Sequence, residues 1–221
     1  MLTRNEVAMM IDASIASVKS PSLTENKAFL ESVSPYPFVA VAVEPFFVRE
    51  SVKILEQTKI SVASLISYPL SDLTSNTKLT QAAFALHDGA HELDIAMSLK
   101  DFKAGNFERV KEDLKPIIDL AGERIKKMIY YSASLSTDEQ KKAVQLAVEL
   151  GFDFVKTNPG FGYITTPEHV KAVKDTFGKD IKVMASGGVR TKEDVLKMVA
   201  VGTDRIATSA ALRILNEFEE E

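Results

Sequence analysis

The chain has 221 residues, 27 Lys and Arg against 31 Asp and Glu, a net charge of −4 at pH 7, and 45% hydrophobic residues. That balance argues against a basic nucleic-acid-binding face, and the hydrophobic content suits a packed core rather than a disordered chain. Without cysteine, disulfides, thiolate nucleophiles and thiolate-bound zinc are excluded, and the three histidines His87, His91 and His169 do not by themselves make a metal site.

No apolar run approaches the ~20 residues of a membrane span. Residues 1–14 carry charge where a signal peptide would be apolar. A soluble, cytoplasmic small-molecule enzyme is the expectation.

Short apolar runs alternate with helical patterns. In chain order the runs lie near residues 10–15, 38–43, 60–66, 91–97, 126–132, 152–157, 181–186 and 204–208. Most are rich in Val, Ile, Phe or Tyr, as buried parallel strands are. Between them, Phe107, Val110, Leu114, Ile117, Ile118 and Ala121 form one apolar stripe at helical spacing. Ser136 with Glu139 reads as a capping box for a helix ending at Gly151. Thr166-Pro167 opens a helix that ends at Gly178, and Thr191 opens one that ends at Gly202. A last helix is expected over about 209–219, running into an acidic tail. The pattern predicts an α/β fold, a (β/α)8 TIM barrel, as a single domain over residues 1–221 with a short N-terminal helix. The runner-up, an open doubly wound sheet, lacks its glycine-rich dinucleotide turn.

In such a barrel, chemistry sits at the carboxyl ends of the strands, and phosphate often binds after strands 7 and 8. After strand 7 comes Ser186-Gly187-Gly188, and after strand 8 Thr208-Ser209, each opening a helix. Paired glycines admit an anion close to the backbone, and a helix N-terminus favours negative charge. Either turn alone would read as a plain βα connection; the two together favour a phosphate site. Lys156 closes apolar strand 6. A desolvated amine there would be a nucleophile for a carbonyl, although on spacing alone a rim lysine snorkelling to water is the commoner reading. Asp12 and Asp94 are acids inside apolar runs, which calls for a partner or a function. Glu92 shares the parity of Asp94 and should face the same way, nearer the barrel bottom. Of Tyr130 and Tyr131, adjacent at the end of strand 5, one should face the lumen. The histidines read as surface or structural residues, and the methionines as core filler.

Three stretches, Phe154 to Gly162, Ala185 to Thr191 and Gly202 to Ser209, together resemble the deoxyribose-phosphate aldolase family; weaker echoes lie at Val41 to Pro45, Ser67 to Leu70 and Asp88 to Asp94. The resemblance implies a class I aldolase (a lyase) that cleaves 2-deoxy-D-ribose 5-phosphate to glyceraldehyde 3-phosphate and acetaldehyde. It implies an imine on Lys156 without metal or other cofactor, and a proton relay through Asp94. Asp12 and Ser14 match first-strand residues of the family, Thr157 and Gly160 its strand-6 loop, and Gly187, Gly188 and Ser209 its phosphate cradle. Ser186 and Thr208 flank that cradle. The partners implied are a phosphorylated small molecule and further copies of the chain, as a dimer or tetramer. The departures are Met184 where the family has a second lysine, Tyr131 for a glutamate, Ala42 for a cysteine, Glu44 for an asparagine and Ala207 for a glycine. A first-strand Asp, strand-5 Tyr and strand-6 Lys also resemble archaeal-type class I fructose-bisphosphate aldolases, in which the tyrosine is the acid/base. The alternatives are thus a related aldolase using Tyr131, or a catalytically weak phosphosugar-binding barrel.

Overall fold

The computed structural model describes residues 2–16 and 20–219. Eight parallel strands close into a barrel in chain order. They are β1 (Ile11–Ser14), β2 (Ala40–Val43), β3 (Ser61–Ile66), β4 (Glu92–Ala96), β5 (Ile125–Ile129), β6 (Phe154–Lys156), β7 (Lys182–Ser186) and β8 (Arg205–Thr208). Helix α1 (Arg4–Ala8) precedes β1. Helices α2 (Leu23–Val33), α3 (Val48–Leu55) and α4 (Ser75–His87) follow β1, β2 and β3. Both α5 (Leu99–Lys103) and α6 (Phe107–Ala121) lie between β4 and β5. The ring is completed by α7 (Thr137–Leu150), α8 (Pro167–Phe177), α9 (Lys192–Ala200) and α10 (Ala211–Asn216). The architecture is a (β/α)8 barrel, as the alternation of runs predicts. No described helix is long and apolar enough to cross a membrane.

Strand alternation sorts the side chains into two populations. Val41, Val43, Leu93, Ile95, Met128, Val155, Val183 and Ile206 point outward into the main core under the helices. The intervening residues point into the lumen, where Phe154, Met184 and Ala207 make one small apolar cluster and Ala42, Ala63 and Leu65 another. The lumen also takes six charged residues, and these build the candidate site.

The caps act where the sequence places them. Ser136 and Glu139 form a reciprocal capping box, Gly151 closes α7 in the left-handed conformation, and Thr191 boxes with Asp194 at the start of α9. The last helix is shorter than expected. The Ala210 N–H donates to Thr208 Oγ1 at 2.9 Å, holding 209–210 in a turn, and the Lys192 N–H captures Glu217 Oε2 at 2.7 Å, drawing the chain off the helix. Strand 5 also stops earlier, at Ile129. Tyr131 adopts the left-handed region at φ 58° and the Ser134 N–H bonds its carbonyl, so the chain turns where a continued strand was expected. Two histidines cap backbone: His91 Nδ1 accepts the Val62 N–H and His169 Nδ1 the Thr166 N–H.

Candidate active site

Lys156 ends β6 and reaches a cavity of about 250 Å³ at the carboxyl end of the barrel. Its side chain is 4% exposed, and its Nζ donates to Asp94 Oδ2 at 2.6 Å. The apolar strand explains the burial; the carboxylate explains how a cation is tolerated there. The other oxygen of Asp94 lies 2.9 Å from Lys127 Nζ. Lys127, from β5, is fully buried and also meets Asp12 Oδ2 and Glu92 Oε2 at 2.6 Å each. Arg205 of β8 closes the network from below, 2.9 Å from Glu92 Oε2 and 3.4 Å from Asp12 Oδ1. Three carboxylates thus face three cations.

The electrostatics follow from burial and pairing. Burial alone would raise the Asp94 carboxyl, but Lys127 and Lys156 outweigh it and hold it at about 2. Asp12 goes the other way: burial lifts it above the usual carboxylate range despite Lys127, with Glu92 adding repulsion. Burial works against the charge of Lys127, yet Asp12, Asp94 and Glu92 reverse that and keep it protonated well above the ordinary lysine range.

The same cavity is lined by Ser186, Gly187, Gly188, Val189 and Arg190 after β7, by Thr208 and Ser209 after β8, and by Ser14 and Gly160. Gly187 has φ 98°, and a Cβ there would run into the Tyr163 carbonyl oxygen, so only glycine fits. The Thr208 hydroxyl donates to the Val189 carbonyl at 2.7 Å and braces the turn. Ser14 Oγ donates to the Ala42 carbonyl and accepts the Ala16 N–H.

Three expectations change here. Thr157 was expected in the substrate loop, but it is fully buried: its hydroxyl contacts Thr165 and accepts the Ser186 N–H at 2.9 Å, so it supports the strand-7 turn from beneath. Asp12 pairs with Lys127 and Arg205 and does not line the cavity, so it belongs to the charge network. Tyr131 faces the lumen side with Ala96 and Ile129, while Tyr130 joins the outer core. Yet the Tyr131 hydroxyl donates to the Pro69 carbonyl at 2.9 Å, its ring packs edge-on to Tyr163, and the residue does not line the cavity.

Sequence reasoning missed Lys127, Arg205 and Tyr68. Tyr68 lines the cavity, its ring centroid 6.0 Å from Lys156 Nζ, and its hydroxyl donates to the Pro159 carbonyl. A usable signal existed for Lys127. In Lys126-Lys127-Met128-Ile129 one lysine must face inward, and Glu92 with Asp94 on the neighbouring strand demand a cation. Lys182, the same-parity alternative to a lysine at 184, is exposed near the Phe154 ring at the barrel bottom. Among the described residues no group of three or more His, Cys, Asp or Glu is arranged to hold a metal ion.

Comparison with known proteins is consistent with this geometry. A deoxyribose-phosphate aldolase of Streptococcus equi subsp. zooepidemicus is 37% identical over 187 residues, 84% of this chain and 85% of that protein. Among solved structures, one described as "QR15, an Aldolase" superposes with a TM-score of 0.91 at 35% identity, covering 96% of this chain and 95% of the other. A deoxyribose phosphate aldolase from Aeropyrum pernix, described as a unique tetrameric structure, gives 0.89 at 25% identity, covering 97% and 91%. The family model for DeoC/LacD family aldolases matches residues 7–211. The chain, a lyase, belongs to that family of aldolases.

Proposed function

We propose that this chain is a metal-free class I aldolase that forms an imine through Lys156 and acts on 2-deoxy-D-ribose 5-phosphate. The observation that carries the reading is one cavity lined both by Lys156, whose ammonium pairs with the buried Asp94 behind it, and by the Gly187-Gly188 turn. Phosphate would bind against Gly187, Gly188 and Ser209, with the Arg190 guanidinium adding positive charge. Ser14, Gly160 and Ser186 would line the sugar's path.

Once deprotonated, Lys156 Nζ attacks C1 of the open-chain sugar, and loss of water gives the protonated imine. The C2–C3 bond then breaks. Its electron pair moves toward the iminium to give an enamine, and the C3 hydroxyl proton passes to a base. Asp94, ionised beside Nζ, is the base, directly or through a water. Glyceraldehyde 3-phosphate leaves, C2 regains a proton, and hydrolysis releases acetaldehyde. Assembly as a homo-oligomer, dimer or tetramer, is part of the proposal, on the likeness to the Aeropyrum pernix protein.

Borohydride reduction in the presence of deoxyribose 5-phosphate tests the reading. Peptide mapping should find the adduct on Lys156. Full trapping in Lys156→Ala would overturn it.

A further inference from the structure

We propose that Lys127 is a positioning residue for the aldol reaction: it clamps Asp94 so that one carboxylate oxygen faces Lys156, and its charge opposes retention of the Lys156 proton. The inference rests on the reading of Lys156 as the imine-forming amine.

The clamp is geometric. Asp94 Oδ1 is held by Lys127 from β5 and Oδ2 by Lys156 from β6, so the carboxylate is gripped at both oxygens by lysines of adjacent strands. Rotating it breaks an ion pair in a fully buried setting, where an unpaired carboxylate is costly. Lys127 cannot drift either, because Asp12 and Glu92 hold the same ammonium at 2.6 Å from the far side. Asp94 is thereby presented to Lys156 as a fixed acceptor.

Charge supplies the second half. The charged groups facing Lys127 are Asp12 from β1, Glu92 and Asp94 from β4, and behind those carboxylates Lys156 from β6 and Arg205 from β8. Strands β2 and β3 contribute the neutral Ala42, Ala63 and Leu65; β7 contributes the neutral Met184, with Lys182 two residues before it exposed at the barrel bottom over the Phe154 ring. With every group ionised the cluster is balanced. When Lys156 gives up its proton to attack a carbonyl, three carboxylates remain against Lys127 and Arg205. Without Lys127, a protonated Lys156 would be the one cation paired with Asp94, and that carboxylate would hold the Lys156 proton more firmly. A lysine present only to balance buried acids would affect stability alone; Lys127 should also move the pH dependence.

The test uses Lys127→Met and the double variant E92Q/K127M, which removes one charge of each sign and so keeps the lumen balanced. Retro-aldol cleavage of 2-deoxyribose 5-phosphate and borohydride trapping are measured across pH, with circular dichroism to confirm folding. For the folded double variant the adduct should remain on Lys156 and KM should stay within about twofold. The kcat should fall about ten- to a hundredfold, the scale of a lost proton-transfer contribution. The acid limb of the rate profile should move to higher pH by about one unit, a tenfold change in proton affinity. An unmoved limb with kcat within about twofold overturns the proposal, and so does failure of both variants to fold, which would assign Lys127 to stability. A wild-type protein that never traps the sugar removes the reading of Lys156 itself. Trapping in the wild type with an unmoved limb in the variant overturns Lys127 alone.

Discussion

Met184 stands opposite Lys156 in the β6–β7 register, and both side chains point to the lumen side of the barrel. Met184 is fully buried between Phe154 and Ala207, so the strand beside the amine presents an apolar neighbour. The cation nearest the relay comes instead from β5, as Lys127, and reaches Lys156 through Asp94.

Met184→Lys therefore adds a second cation on the adjoining strand. An ammonium there repels a proton on Lys156 and favours the neutral amine. Desolvation in a methionine site opposes the new charge, but the lumen carboxylates support it. The acid limb of the pH–rate profile for deoxyribose 5-phosphate cleavage should shift to lower pH, with each unit worth about 1.4 kcal/mol. A folded variant with an unmoved limb would show that the new lysine stays neutral.

Gly187→Ala probes the phosphate end. The substitution forces an L residue into φ 98° and pushes its Cβ against the Tyr163 carbonyl, displacing the Thr165 N–H bond to the Gly187 carbonyl at 2.9 Å. Such strain costs about 1–3 kcal/mol. KM for the phosphorylated sugar should rise, while borohydride trapping of acetaldehyde, which has no phosphate, should stay close to wild type. Equal losses for both carbonyls would move the phosphate elsewhere.

Tyr131→Phe separates packing from proton transfer. The hydroxyl is engaged with the Pro69 carbonyl and the residue does not line the cavity. Its loss should cost about 1 kcal/mol of stability, the usual scale of one hydrogen bond, and change kcat by less than about threefold. A phenol acting as general acid or base would lower kcat by about a hundredfold. Steady-state kinetics decides between these.

Acid should loosen the barrel through Asp94. Its carboxyl lies near 2 when folded against a reference of 3.8, so its ionised form stabilises the fold above about pH 4. That contribution disappears as pH falls from about 4 to about 2, at an order of 2 kcal/mol. Asp12, raised by burial, has the opposite sign: protonating it as pH falls relieves a cost. Urea unfolding of wild type and Asp94→Asn should accordingly converge between pH 4 and pH 2. A constant gap between the two proteins would place the stabilising charge on another group.

The elements and the position of Lys156 were legible in the sequence because their causes are local. A capping box spans four residues, a strand's alternation spans five or six, and a glycine turn after a strand needs only its own backbone. Ser186-Gly187-Gly188 and the end of β6 could therefore be placed from neighbours in the chain. Partnership across the lumen could not. Lys127 meets Asp12 from 115 residues away and Arg205 meets the same carboxylate from 193 away, contacts that exist only once eight strands close in register. Alternation showed that Asp94 and Glu92 face one way; the closed barrel decided that Lys127 would answer both. The same holds for Tyr131, whose side of the strand followed from parity while a left-handed turn directed its hydroxyl to Pro69, and for Tyr68, carried to Lys156 by a loop after β3. Side-chain charge is written in the sequence, but which charges share one desolvated volume is set by barrel closure, and that sharing decides the protonation on which the chemistry depends.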